Sequence, residues 1–185
     1  MSSGRRSSPL KGRDFVHDAT MTADEGNGAA AAAAVPVVVE VLVLSVDGDT
    51  LTFRTARRPL PASVDPDTVA RQASGLTPQT RDGLLHSTSW RYEQDRVVLT
   101  YVAIPDVDPG AARQPVAEAI VRGEDATDPS PDVDGAEVAA HACRHLAFLD
   151  RTDVDVAAAL AHHRGVRRLV RRYVPDVAGQ AAEAD

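Results

Sequence analysis

The chain has 185 residues and a formal net charge of −7 at pH 7, from 20 Lys and Arg against 27 Asp and Glu. This length predicts one domain with tails, and the negative balance disfavours a surface given over to nucleic acid. Cys143 is the single cysteine, which excludes an internal disulfide and a CxxC-type zinc site and favours the reducing cytoplasm. No apolar run is long enough to span a bilayer, so we expect no membrane association.

The first 34 residues are rich in Ser, Gly, Arg and Ala and show no apolar periodicity. Such a segment cannot bury enough apolar surface to offset the entropy lost on ordering. We therefore predict a disordered tail over residues 1–34, within which Met21 is an alternative start to Met1. Residues 35–177 are predicted to form a single domain, and residues 178–185 a frayed C-terminus.

The first ordered element is predicted at Val35–Val46, a nearly continuous run of β-branched residues. A run of this kind is typical of a central strand that is covered on both faces. Asp47–Asp49 is typical of a tight turn, because Gly48 supplies a positive φ. The alternation of apolar and polar residues over Leu51–Thr55 then predicts an antiparallel partner strand.

A short helix is predicted at Pro66–Ser74, because Asp65 is a favourable N-cap, proline suits the first turn and Gly75 is a typical stop. Two further apolar segments, Leu84–Tyr92 and Arg96–Ile104, flank a short polar turn and predict a second hairpin. We expect this hairpin to pair with the first strand in one sheet.

The rest of the chain changes character after residue 105. A loop over 106–114, a further strand at Val116–Val121 and an acidic linker over 125–135 are predicted. Apolar residues then recur at helical spacing from Ala136 to Tyr173, which predicts a C-terminal helical part that packs on the sheet. The fold class is therefore α/β in the α+β sense, a mixed sheet with a short helix after the second strand.

The order of these elements and several short motifs resemble the first two-thirds of a Nudix hydrolase domain. The resemblance covers roughly Val35 to Ile104, and its motifs are Arg57-Arg58, Leu60-Pro61, Gly75-Leu76 and the strand Val97–Ala103. It implies a Nudix-like fold, in which glutamates of the helix hold Mg²⁺ over a diphosphate. The segment Ala139–Leu149 also resembles segments of uncharacterised actinobacterial proteins.

The chain departs from the Nudix pattern at the helix itself. Thr68–Ala73 stands where the family has an Arg-Glu-aliphatic-x-Glu-Glu stretch, and it contains no glutamate. Asp65 and Asp67 are the nearby carboxylates, and we interpret both as helix-capping residues. The resemblance therefore implies a degenerate Nudix box, with no catalytic residue, no metal and no cofactor. An active but degenerate hydrolase of nucleoside diphosphate derivatives, using Asp65, Asp67 and Glu93, is the alternative.

The predicted function is that of a non-catalytic ligand-binding or regulatory module, with a nucleotide-like small molecule as its ligand. We predict the ligand site in a cleft formed by Arg57, Arg58, His86 and Trp90. Guanidinium groups bind phosphates and an indole ring can stack on a base. For Trp90 and its neighbour Tyr92, packing of at least one ring in the core is the simpler expectation.

Arginines crowd the last predicted helix, at positions 164, 167, 168, 171 and 172. They could bind phosphates or an acidic protein partner. A third hypothesis is therefore a protein-binding adaptor that uses Arg164, Arg168 and Arg171. The simpler interpretation is a solvated face whose cations favour the helix dipole and pair with the chain's own carboxylates.

Two histidines of the C-terminal part, His141 and His145, are spaced for one helix face and could ligate a metal. A zinc peptidase would need a glutamate where Ala142 stands. Cys143 is interpreted as a small buried apolar residue rather than a nucleophile. We therefore predict neither a metal site nor a catalytic cysteine here.

Overall fold

The computed structural model describes residues 34–108, 110–117 and 134–175. In this part of the chain four helices accompany a mixed five-stranded sheet with the order β3-β4-β1-β2-β5. The elements are β1 Val37–Asp47, β2 Thr50–Pro59, α1 Pro66–Ser74, β3 Leu84–Glu93, β4 Arg96–Ile104, β5 Gln114–Pro115, α2 Gly135–Thr152, α3 Val154–His162 and α4 Arg164–Val170. The predicted α+β class is confirmed, with its helix after the second strand and its helical C-terminal part.

The sheet is built from two hairpins joined through its centre. β1 pairs antiparallel with β2 across a turn in which Gly48 has a φ of +57°. β3 and β4 form the second hairpin, and Gln94 and Asp95 both take positive φ in its two-residue turn, as twisted hairpins require. β1 also pairs with β4 in parallel. The carboxyl ends of β1 and β4 therefore meet at one edge of the sheet.

Each face of the sheet carries its own core. Val39, Val41 and Val43 of β1 point to the face on which α1 packs, which we call the α1 face. Leu42 and Leu44 point to the opposite face, which packs against α2, α3 and α4 and which we call the α2 face. This alternation is the period of two that a strand imposes. It also explains why the β1 sequence is apolar almost throughout.

Helix α1 has the predicted bounds. The Asp65 carboxylate accepts a hydrogen bond from the Thr68 backbone N–H at 3.1 Å, so it is the N-cap. Gly75 ends the helix at a φ of +81°, and a Cβ there would lie 2.8 Å from Val107 Cγ2. Asp67 was expected to be a second capping residue, but its carboxylate accepts the Tyr101 hydroxyl at 2.8 Å instead. α1 is thereby tied to β4 by a polar contact as well as by its apolar side.

The predicted strand at Val116–Val121 is wrong where the structure describes it. The strand is Gln114–Pro115, which pairs with β2, and Val116 adds only one backbone bond to Leu51 at 2.9 Å before its side chain enters the core. Proline supplies no N–H to a ladder, so this strand stays short. Residues 118–121, the acidic linker up to 133, the predicted N-terminal tail up to residue 33 and the predicted frayed end fall outside the described residues.

None of the described helices is both long and apolar enough to cross a membrane. Cys143 is a residue of α2 whose side chain is buried in the core, and burial raises the pKa of its thiol. It is therefore a packing residue, as predicted.

Candidate functional site

The four residues of the predicted ligand site do not share one surface. Arg58 and Trp90 are the two ends of a row that crosses four strands on the α1 face, with Val39 and Leu99 between them. Three strand spacings separate the ends by roughly 14 Å. Val39 is fully buried in this row. No cleft therefore joins Arg58 to Trp90.

Arg57 and His86 lie on the other side of the sheet, on the α2 face. Arg57 does so because adjacent residues of a strand point to opposite faces. His86 and Trp90 are four residues apart and would share a face in a regular strand, but the register of β3 shifts between Ser87 and Ser89. This β-bulge inserts one residue and reverses the alternation after it.

Arg57 is part of an ion-pair network on the α2 face. The centre of this network is Glu40, whose side chain is only 3% exposed. Arg57 Nε donates to it at 2.7 Å, and Arg91 donates to both of its oxygens at 2.8 and 3.2 Å. Glu93 bridges the two guanidiniums from the outside, with contacts of 3.1 Å to Arg57 and 2.7 Å to Arg91. The guanidinium of Arg57 therefore binds carboxylates of the domain itself, Glu40 and Glu93.

Opposing effects act on the Glu40 carboxyl. Burial alone would raise the pKa of Glu40, but the hydrogen bonds and charges of Arg91 and Arg57 outweigh burial and hold it below its ordinary value. Thr100 adds a hydroxyl contact at 3.3 Å. The carboxyl is thus ionised and fully partnered, which is the mark of a structural ion pair rather than of a catalytic acid.

His86 stacks on His145 of α2, with ring centroids 5.5 Å apart and planes inclined by 24°. Burial lowers the pKa of both imidazoles. At His86 the charges of Asp153 and Asp67 oppose this effect without cancelling it, whereas at His145 the neighbouring His86 and His141 lower the pKa further. Rings stacked face to face do not direct their nitrogen lone pairs at one point. Among the described residues no group of three His, Cys, Asp or Glu side chains is placed to hold a metal ion.

Trp90 and Tyr92 are both exposed, at 70% and 60%. The expectation that at least one of them packs in the core is wrong, because the bulge turns both toward the α1 face beyond the area that α1 covers. They form an exposed aromatic patch on β3, one of the two outer strands of the sheet in the described part.

A cleft of about 910 Å³ opens at the shared carboxyl ends of β1 and β4. Its apolar wall includes Val46, which is 36% exposed, together with the almost fully buried Leu44 and Ile104, and the loop that includes Ala111 closes one side. Ligand pockets in open sheets with parallel strands commonly occupy this position. The cleft is about twice as large as the groove beside α4, which measures about 460 Å³.

The floor of the cleft is held by a buried carboxylate. Asp106 is the second residue after β4 and pairs with Arg54 at 2.8 Å and with Arg113 at 2.8 Å. Burial would raise the pKa of Asp106, but these hydrogen bonds and the backbone N–H of Asp108 keep it low. Arg54 also donates to the Ser74 carbonyl at 3.2 Å. The cleft floor is therefore anchored to the end of α1.

The remainder of the cleft is lined by polar and charged side chains of both signs, among them the acidic Asp47 at the end of β1. Arg164 makes no ion pair with any residue that the structure describes, and His163 beside it places Nε2 2.7 Å from the Asp82 carbonyl oxygen. Ser45 and Thr52 bring their hydroxyl oxygens within 2.9 Å of each other. Sequence reasoning missed this site because its parts come from four separate segments. The parallel pairing of β1 with β4 was the one signal that could have located it.

The residues predicted to bind a partner lie along α4 and just beyond its end. Arg171 donates to the buried Asp150 carboxylate at 2.5 Å, and Arg168 pairs with Asp49 at 2.8 Å. The simpler interpretation, pairing with the chain's own carboxylates, is confirmed for these two. Arg164 is the one of the three predicted residues that has no such pair in the described part.

The fold and the cleft define an α+β domain with a mixed five-stranded sheet and a ligand-sized cleft at the ends of its parallel strands. No protein-family model, no curated protein and no solved structure matches the chain.

Proposed function

We propose that the chain is a Nudix-like domain without the metal-binding glutamates, which works as a non-catalytic binding module for a nucleotide-like small molecule. The observation that carries this proposal is the cleft at the carboxyl ends of β1 and β4, which combines an apolar wall with arginine, histidine, aspartate and hydroxyl groups. A base and ribose suit the apolar wall, and Arg164 suits a phosphate. A cytoplasmic location, expected from the single cysteine, belongs to the same proposal.

The carboxylates that a degenerate hydrolase would need are engaged elsewhere. Asp65 caps α1 and Asp67 accepts the Tyr101 hydroxyl. Glu93 lies in the ion-pair network of the α2 face, on the other side of the sheet from α1. A magnesium ion over a diphosphate needs several oxygen ligands at one point. These three side chains offer no such point, which supports binding over hydrolysis.

The proposal is tested by thermal denaturation of the full chain with a panel of nucleoside mono- and diphosphates and their sugar derivatives. A ligand that binds the folded state raises the melting temperature by mass action. We expect at least one member of the panel to do so, with no release of phosphate in the presence of Mg²⁺.

Two matched variants locate the ligand. Ala111→Phe places a ring in the cleft and is expected to abolish the shift. Ala112→Phe adds the same ring to the next residue, which does not line the cleft, and should leave the shift intact. Mg²⁺-dependent phosphate release that is lost in Asp67→Ala would instead establish the hydrolase, and a panel without any shift would refute the binding module.

A further inference from the structure

Four arginines form one stripe beside the α3–α4 corner. They stand at positions 164, 167, 168 and 171, which is the spacing of a single helix face, and with Ala161 they line a groove of about 460 Å³ that we call the arginine groove. The opposite side of α4 is apolar and buried in the core through Val166, Leu169 and Val170. The helix therefore presents its guanidiniums outward while its other side is anchored.

One buried carboxylate on α2 orients two of these guanidiniums. Asp150 of α2 has a side chain that is only 1% exposed. Its Oδ1 accepts from Arg167 Nε at 2.8 Å, and its Oδ2 accepts from Arg171 Nε at 2.5 Å. A guanidinium carries five N–H donors, so each arginine keeps donors that Asp150 does not use. Fixing the cations in advance lowers the entropy cost of binding a ligand.

The groove has more positive than negative charge. Its four arginines face only two carboxylates, Asp150 and Asp49, among the described residues. Asp49 is 78% exposed, so its pair with Arg168 is well screened by solvent and easily exchanged for another anion. Arg164 has no ion pair in the described part. In a chain with a net charge of −7, this local surplus is complementary to an anion.

The dimensions of the groove favour a small, multiply charged anion over a peptide. The stripe from Arg164 to Arg171 covers seven helical steps, or roughly 10 Å. Peptide and protein partners usually need buried apolar or aromatic anchors, and Ala161 is the one apolar side chain in the lining. Planar guanidinium forks match the geometry of phosphate oxygens.

We propose that the arginine groove is an anion site for a ligand that carries two or more adjacent phosphates. This site adjoins the proposed nucleotide cleft and shares Arg164 with it, while Arg167, Arg168 and Arg171 line the groove and not the cleft. Arg164 is therefore left unchanged in the test.

The test is isothermal titration of the full chain with inorganic pyrophosphate at low ionic strength. Arg168→Gln combined with Arg171→Lys removes one guanidinium and replaces the other by a cation that can still pair with Asp150. We expect this variant to bind pyrophosphate about tenfold or more weakly, the loss typical of charge-assisted hydrogen bonds to a planar fork. Arg168→Gln alone should show part of the loss and serves if the double variant does not fold.

A charge-matched control distinguishes a site from the general field of the protein. Arg81→Gln combined with Arg151→Lys makes the same changes at exposed positions outside the groove, and it should bind pyrophosphate as the unchanged chain does. Equal losses in both variants, or equal binding of pyrophosphate, monophosphate and sulfate, would overturn the proposal.

Further outcomes show which of the two proposals fails, that of the arginine groove or that of the nucleotide cleft. If Ala111→Phe abolishes pyrophosphate binding while the groove variant retains it, the anion sits in the cleft; the arginine groove is then refuted and the proposed function stands. If a glutamate-rich peptide binds more tightly than pyrophosphate and displaces it, the groove serves an acidic protein partner and the phosphate proposal is wrong. Pyrophosphate binding that survives Ala111→Phe, on a chain that no nucleotide stabilises, supports the groove and refutes the cleft.

Discussion

Two regions of this domain hold a buried carboxylate between two arginines. The first lies on the sheet and consists of Glu40, Arg57 and Arg91, and the second lies among the C-terminal helices and consists of Asp150, Arg167 and Arg171. In both, burial opposes ionisation, and the arginines outweigh it and lower the carboxyl pKa. The inner parts of the two regions are therefore alike.

The regions differ in the charged residues that surround the buried carboxylate and its two arginines. Glu93 contacts both arginines of the sheet region, so two positive and two negative charges balance there. The helix region has further arginines at its rim, and in the described part of the chain only the exposed Asp49 pairs with them. Charge balance around a buried carboxylate, rather than the number of arginines, thus separates a closed structural network from a surface that can take up an anion.

The largest effect is expected when the closed network is opened. Arg91→Met removes the two hydrogen bonds that Arg91 donates to Glu40 and leaves the buried carboxylate with Arg57 as its one cationic partner among the described residues. The free energy of unfolding should fall by about 3–5 kcal/mol, as for other buried pairs that lose one member. Chemical denaturation measures this, with Arg96→Met as a control outside the network. A loss no larger than that of the control would show that Glu40 does not depend on Arg91.

The two carboxylates should also make stability sensitive to acid. A carboxyl whose pKa is lower in the folded state contributes stability above its ordinary pKa, 4.5 for Glu40 and 3.8 for Asp150, and this contribution is lost as the pH falls through the folded value. Glu40→Gln and Asp150→Asn should each be less stable than the unchanged chain at pH 6. The differences should shrink toward pH 3, as measured by denaturation across the range. Differences that stay constant with pH would contradict the ion-pair account.

The stacked histidines His86 and His145 should have a smaller effect on the pH dependence of stability, at higher pH than the carboxylates. Unlike those carboxylates, they have no arginine partner among the described residues. The pKa of His86 and of His145 is lowered by burial, so the folded state binds protons less readily than the unfolded chain. Their contribution is complete above the ordinary histidine value of 6.5 and is lost as the pH falls below it. His145→Phe should flatten the stability curve just below pH 6.5. An identical slope in the unchanged chain and in His145→Phe would refute the prediction.

The smallest expected change in stability comes from Asp49→Asn at the rim of the arginine groove. The Asp49–Arg168 pair is exposed, so its loss should leave the denaturation midpoint unchanged. Removing a competing carboxylate should at the same time strengthen pyrophosphate binding about two- to threefold, the size of a screened surface charge effect. Weaker binding would mean that Asp49 orients Arg168 for the ligand instead of competing with it.

Much of the fold follows from local patterns. The bounds of α1 are set by Asp65 and Gly75 within a few residues of sequence, and both hairpins are set by short turns between the strand segments. The central position of β1 follows from its apolar residues on both faces. These features need no knowledge of distant partners, and the sequence predicted them.

The candidate site depended on information that is not local. Which face Trp90 occupies is decided by one inserted residue in β3, and no turn residue or composition marks that bulge. Glu40 reads as an isolated polar residue in an apolar run, because its partner Arg91 lies 51 positions away. The separation of Arg57 from Arg58 could have been predicted from the period of two alone. The sequence interpretation assigned Arg57 and Arg58 to one ligand cleft because they are adjacent in the chain.

The bulge in β3 has one more consequence, which concerns how copies of the domain behave at high concentration. β3 is one of the two outer strands of the sheet in the described part, and it carries two exposed aromatic rings. Long, flat outer strands of this kind template edge-to-edge stacking of identical chains into fibrils. The extra residue at Thr88, anchored by its hydroxyl to the Thr100 carbonyl at 3.2 Å, breaks the outer strand into two short stretches that are out of step. We therefore expect the irregularity that exposes Trp90 also to oppose edge-to-edge aggregation of the folded domain.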